Sequence, residues 1–228
     1  VRSGKRDSFL AGADVDAIAA LEDPGEAERA IRVGQAVFAE IERLPVPTVC
    51  AIHGACVGGG VELALACRYR VGSDSPRTRL AFPEVLLGIL PAWGGTTRLP
   101  RLIGLQASLD LLLTGKEVDA RKARTIGLVS ELFPAPLFLE KVAGYALGTL
   151  GLPASAPRPK RSLLTRFLDG TPPGRRVVLA VARRRVWAQT GGHYPAPLRI
   201  LDILREHLGG NPDDSLDAEA HAASALLV

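Results

Sequence analysis

Two glutamates draw attention because their neighbours give a carboxylate so little company. Glu62 follows Gly58-Gly59-Gly60-Val61 and opens the apolar run Leu63-Ala64-Leu65-Ala66-Cys67. Glu84 lies between Pro83 and the run Val85-Leu86-Leu87-Gly88-Ile89-Leu90. A carboxylate among apolar side chains is costly to bury unless it is hydrogen-bonded or used in chemistry. Two carboxylates that converge on one water can divide the roles of general acid and general base, although spacing alone does not bring them together. The glycine triplet sits where a strand runs into a helix, so its N–H groups lie at the positive end of the helix dipole. That geometry suits a bound phosphate or an oxyanion formed during reaction. A tight turn and a dipole-favoured first-turn glutamate explain the same residues without chemistry. Neither GxGxxG nor GxxxxGK[ST] occurs, and Gly115-Lys116 lacks the upstream glycine spacing and the hydroxyl of a phosphate loop.

The remaining reactive side chains point to structure. Cys50, Cys56 and Cys67 lack CxxC or Cys/His zinc spacing and a paired base, so they read as small core residues of a reducing compartment. No metal site is expected. His53 on an apolar run reads as a hydrogen-bonded core histidine, and His193, between Gly192 and Tyr194, as part of a rigid turn. Arg183-Arg184-Arg185 reads as a solvated helix face, with CoA phosphates, acidic lipid or a partner subunit as alternatives.

The elements that must position the two glutamates follow from periodicity. Ala30, Val33, Val37, Ile41 and Leu44 recur at helical spacing through Glu26 to Arg43, and Pro45 and Pro47 end that helix. Val49 to Val57 is expected as one strand covered on both faces, and Arg68 to Val71 as a second. Helices are predicted from about Thr96 to Ile103 and from Gly104 to Leu113. Asp119 is predicted to cap a third, with Ala120, Ala123 and Ile126 inward. Asp14 in Ala11-Gly12-Ala13-Asp14 also suits a helix cap. Gly151 to Pro173, rich in Pro, Ser, Thr and Arg, reads as a linker. Beyond it come a basic helix from Arg175 to Gln189, a turn through Gly191 to Pro197, and helices over Leu198–Leu208 and Ser215–Leu227. Strand–helix alternation with glycines at the junctions gives an α/β class.

Several segments, in order, resemble the enoyl-CoA hydratase/isomerase (crotonase) superfamily: AGAD at Ala11 to Asp14, IHGACVGGGVELALACRYRV at Ile52 to Val71, and PEVLLGILPAWGGTTRLPRLIG at Pro83 to Gly104. TGKEVDARKARTIGLV at Thr114 to Val129 is similar to a later helix motif of that family. The GGGVELALAC segment and Ala188 to Leu208 are most similar to the hydratase region of multifunctional fatty-acid oxidation proteins and the segment that joins it to a dehydrogenase region. The resemblance implies a crotonase-like ββα-superhelix core over residues 1–150, a linker over 151–173 and a helical connector over 174–228. It also implies that strands normally preceding AGAD are missing and that a dehydrogenase region, with NAD, lies beyond this piece.

By the same resemblance, Glu62 and Glu84 are the catalytic pair that adds water to a trans-2-enoyl-CoA. The N–H groups of Ala13 and Gly59 match the oxyanion hole, and the carbonyl of Ala11 matches a contact to the CoA adenine. Gly12, Asp14 and Gly58 are expected at the substrate. Ala92 stands where the family has glycine beside the catalytic water, and Trp93 is expected to shape the acyl pocket. No cofactor is expected beyond the CoA thioester substrate itself. A thiolase subunit is the implied partner of the complete protein. A bacterial cytoplasm is the expected compartment, with the mitochondrial matrix as the alternative. Isomerisation of the enoyl double bond and a non-catalytic fragment are the competing readings.

Composition sets the outer bounds. The 228 residues are 47% hydrophobic and 23% charged, which excludes a wholly disordered chain. No apolar stretch approaches the ~20 residues that span a bilayer, and the net charge of +4 falls well short of a nucleic-acid-binding composition.

Overall fold

In a computed structural model, residues 1–12, 22–150 and 162–227 are described. Two sheets form the centre. One orders its strands β1 (Ser8–Leu10), β3 (Ala55–Val57), β5 (Arg79–Ala81) and β6 (Val118–Asp119), with only the β5–β6 pair antiparallel. The other is parallel throughout and orders β2 (Val49–Ile52), β4 (Tyr69–Ser73) and β7 (Glu131–Phe133). Val49 to Val57 is therefore not one strand. The run breaks at His53-Gly54, and its two halves pair in different sheets. The run is nearly all apolar across the break, with β2 buried throughout and β3 buried at Cys56, so hydrophobicity alone could not mark it.

Helix α1 (Pro24–Arg43) starts where the Asp23 carboxylate accepts the Glu26 N–H at 2.8 Å. Its buried stripe is Ala27, Ile31 and Gln35, whereas Val33 and Val37 face solvent. The stripe read from the sequence is thus displaced around the helix. The cause is polar: Gln35 turns inward and donates to the carbonyls of Ala92 and Leu216, both at 2.9 Å. Helix α2 (Gly59–Ala66) is buried along almost its whole length, so its low amphipathicity is that of a central helix. The buried Arg70 guanidinium closes its far end, donating to the carbonyls of Ala64 and Cys67 at 3.4 and 2.6 Å and to that of Leu128 at 3.1 Å.

After a 3-10 turn at Pro83–Leu87, helices α3 (Gly95–Ile103), α4 (Leu105–Leu112) and α5 (Ala120–Ile126) follow. Asp119 caps α5 through the Lys122 N–H at 2.7 Å, as read from the sequence. Helix α6 (Phe138–Gly148) covers a small cluster of Val49, Tyr69 and Val71. In the stretch read as a linker, residues 151–161 lie outside the described set. Ser162 caps α7 (Leu163–Gly170), which is regular helix. Helix α8 (Pro172–Thr190) carries the arginine run on an exposed face, with Arg183 paired to Asp202 at 2.7 Å. Pro195-Ala196-Pro197, read as turn, forms the first turn of α9 (Pro195–His207), where proline costs no hydrogen bond. Helix α10 (Pro212–Leu227) then packs against α1, α3 and α9, and its Ala220 and Ala223 enter the main core. Among the described residues no helix is long and apolar enough to cross a membrane.

Candidate active site

The glycine triplet is shaped by what approaches it. Gly58 has φ +55° and ψ −126°, a conformation open to glycine, and a Cβ there would lie 2.5 Å from Glu84 Oε1. A Cβ on Gly59 would meet the Trp93 ring at 2.6 Å, and one on Gly60 would meet the Leu10 carbonyl at 2.5 Å. The triplet is thus a crowded crossing of three segments, not a plain turn. Gly58 N–H is used, donating to the Ala81 carbonyl at 2.9 Å. Gly59 N–H opens α2, and no hydrogen bond among the described residues takes it up.

Glu62, one turn into α2, is 2% exposed. Its Oε1 accepts the N–H groups of Trp93 at 2.8 Å and Gly95 at 2.7 Å. Glu84, on the 3-10 turn, has Oε2 buried without a hydrogen-bond partner. Both glutamates line one cavity of about 220 Å³ with Ala11, Gly12, Gly58, Gly59, Ala92 and Trp93. The structure therefore brings together eight of the ten residues singled out from the sequence. Ala13 and Asp14 lie outside the described residues. The rest of the wall is apolar, with Ile31, Leu90, Ala223 and Leu227 among its side chains. Trp93 lies between Gly59 and Gly34, and its ring meets Phe38 edge-on with centroids 5.6 Å apart.

Burial sets the electrostatics. It pushes the Glu62 carboxyl well above the usual carboxylate range, helped by the neighbouring Glu219 and Glu84 and opposed by the two amides. Glu84 is pushed up to about 7, chiefly by burial and further by Glu219. Two neighbouring carboxyls that burial makes harder to ionise can divide the roles of proton acceptor and proton donor.

Glu219 is the residue that sequence reading missed. It lies on α10, fully buried, and is itself pushed up to about 7 by burial. Its Oε1 accepts the Gly94 N–H at 2.5 Å, and its Oε2 accepts both the N–H (3.0 Å) and the hydroxyl of Thr96. A signal was available: Glu219 falls on the stripe of Ser215, Ala223 and Leu227, where a surface glutamate does not belong. Tyr194 also went unread; its hydroxyl donates to the Val85 carbonyl at 2.5 Å, beside Glu84.

The other candidates stay structural. His53 Nε2 lies 2.8 Å from the Lys5 carbonyl. The three cysteines are free and buried, and burial pushes the Cys50 and Cys56 thiols up, away from the thiolate.

Comparison with known proteins agrees with this geometry. The sequence model of the enoyl-CoA hydratase/isomerase family matches residues 1–149. The chain is 47% identical over 225 residues to the fatty acid oxidation complex subunit alpha of Shewanella amazonensis, covering 99% of this chain and 31% of that protein. It is 44% identical to the same subunit of Shewanella putrefaciens, covering 99% of this chain and 32% of that one. It thus spans about a third of the length of these relatives. Among solved structures, an enoyl-CoA hydratase from Bacillus anthracis superimposes with a TM-score of 0.61 at 26% identity, over 97% of this chain and 69% of that one. A second, from Geobacillus kaustophilus, gives 0.62 at 26% identity over 99% and 69%. The fold is the crotonase fold, and the chain belongs to the enoyl-CoA hydratase/isomerase family.

Proposed function

We propose that this site hydrates trans-2-enoyl-CoA to 3-hydroxyacyl-CoA. The observation that carries the reading is the pairing of Glu62 and Glu84 in one apolar cavity, beside an untaken Gly59 N–H. With Oε1 held by two amides, Glu62 keeps Oε2 for a water. Glu62 takes a proton from that water as its oxygen bonds to C3. The C2=C3 electron pair moves toward the thioester carbonyl, whose oxygen gathers negative charge. The Gly59 N–H, together with that of Ala13, stabilises this charge more strongly than it does the ground-state carbonyl. Glu84 delivers a proton to C2, and one water has been added with no change of oxidation state overall. Burial raises the proton affinity of both carboxyls, so the division of roles between them rests on the family resemblance.

The Ala11 carbonyl and Gly12 serve the CoA portion in this reading, a role the resemblance also gives Asp14, and Trp93 and Ala92 bound the acyl end. The thioester polarises its own alkene, so the step needs no cofactor. NAD belongs to a dehydrogenase region outside this chain. Residues 1–150 are read as the hydratase unit and 174–228 as a connector whose last helix also closes the cavity through Ala223 and Leu227, in a fatty-acid β-oxidation protein that works with a thiolase subunit in a bacterial cytoplasm. The names of the relatives support the part of this reading that concerns a fatty acid oxidation complex in a bacterium.

The test is the loss of conjugated-thioester absorbance when the purified protein meets crotonyl-CoA or a longer enoyl-CoA. Turnover that falls by about three orders of magnitude in both Glu62→Gln and Glu84→Gln supports the reading, since each removes a proton-transfer group. Turnover that survives both substitutions overturns it.

A further inference from the structure

The reading above leaves a third buried carboxylate unused. Glu219 reaches the site from α10 and grips the turn between Trp93 and Thr96 on alternate amides. Glu62 holds Trp93 N–H and Gly95 N–H, while Glu219 holds Gly94 N–H and Thr96 N–H. Four successive amides therefore alternate between two carboxylates on different helices. The carbonyls of the same turn are held as well: Arg98 donates to that of Trp93 at 2.8 Å, and Gln35 to that of Ala92. These amides open α3, where backbone donors have no partner within the helix. If Glu219 let go, Gly94 and Thr96 would need other acceptors in a buried setting, and the turn would have no reason to keep Trp93 and Gly95 aimed at Glu62.

We infer that Glu219 is a positioning residue for the proposed hydration, holding the 93–96 turn so that its other two amides fix the Glu62 carboxylate. The inference rests on the reading of Glu62 as the base, and it assigns part of the site's order to the C-terminal connector. The surrounding charges support an electrostatic link. On α3, Arg98 faces Glu219, and its Nε pairs with Glu42 of α1 at 3.1 Å; Arg101 lies farther along that helix. From α2 and the 3-10 turn come Glu62 and Glu84. The ionisable groups on the outer side of α10 pair with α1, Asp217 with Arg32 and His221 with Glu28. On α9, Asp202, Arg205 and Glu206 pair at the surface. Glu219 therefore acts on Glu62 in two opposed ways, raising its proton affinity by charge and lowering it through the two amides it keeps in place.

Two readouts test this on the purified protein. In Glu219→Gln an amide NH₂ faces the Thr96 N–H, and hydrogen exchange at Trp93 and Gly95 should quicken about tenfold or more while the β2–β4 amides keep their protection. In hydration, kcat should fall clearly more than KM changes, because the proton-transfer group loses its fixed position while the substrate contacts remain. A merely structural role predicts neither. Leu201→Ala, a cavity variant in buried α9, should lower the melting temperature and leave both readouts at their wild-type values. If Glu219→Gln does not fold, Thr96→Val, which deletes only the hydroxyl bond, should show the same changes in smaller degree. Unchanged Trp93 and Gly95 exchange in a folded variant, with kcat unchanged, overturns the inference. A wild-type protein without hydratase activity would refute the functional reading, and the exchange data would still decide whether Glu219 fixes Glu62.

Discussion

Gly58→Ala puts the crowding of the site to a quantitative test. The added methyl would lie 2.5 Å from Glu84 Oε1 and 3.3 Å from its Cδ, where an ordinary contact begins at 3.4 Å. The carboxylate must retreat by about 0.9 Å, because Gly58 is pinned by its bond to Ala81 and by the start of α2. A displacement of ~1 Å at a reacting group costs on the order of a hundredfold in rate. The backbone adds its own cost, since a non-glycine residue at φ +55° and ψ −126° is strained by roughly 1–3 kcal/mol. For a chain of this size that corresponds to a fall of about 2–6 °C in melting temperature. The assay pairs crotonyl-CoA hydration with thermal unfolding. Gly144→Ala serves as the control, on an exposed stretch of α6 with nothing within 4 Å of the new methyl. It should hold or raise stability by about 0.5–1 kcal/mol. A Gly58→Ala protein with wild-type rate and wild-type melting temperature would refute the packing argument.

Two further predictions concern stability. Glu84 holds its proton up to about 7 in the folded protein against an ordinary 4.5, so the folded state binds more protons between those values and stability falls as pH rises through that window. Glu84→Gln removes the penalty, so its stability relative to wild type, by chemical denaturation, should improve from pH 5 to pH 8 by up to ~3 kcal/mol; a difference independent of pH would contradict the assignment. Arg70→Met should lose about 3 kcal/mol and lower the melting temperature, because it orphans the buried carbonyls of Ala64, Cys67 and Leu128.

The two glutamates of the cavity were legible because their signal is local. An isolated carboxylate in an apolar run carries its own cost, and the glycines beside Glu62 mark a close crossing. Helices with a cap in the sequence, such as α5 after Asp119, were equally readable. What escaped depends on contacts between distant segments. The apolar run Val49 to Val57 hides that its halves pair in different sheets, and the one local mark of the break is Gly54, with φ +60° and no room for a Cβ against the Asp7 carbonyl. The buried face of α1 was misplaced because an inward glutamine, chosen by the carbonyls of Ala92 and Leu216, outranks two exposed valines. Pro195-Ala196-Pro197 reads as turn by composition, yet proline is at home in a first helical turn. Glu219 was hidden by its setting among alanines in a helix rich in acidic residues. Its partner is a turn more than 120 residues earlier in the chain.

The most direct test of the central claim follows the atoms of the added water. Crotonyl-CoA incubated with the protein in deuterated, oxygen-18-enriched water should give 3-hydroxybutyryl-CoA with one heavy oxygen at C3 and one deuterium at C2. Neither label should accumulate with Glu62→Gln. Deuterium at C4 with no oxygen at C3 would mean double-bond migration instead of hydration, and product formed equally well by Glu62→Gln would contradict the paired-carboxylate mechanism.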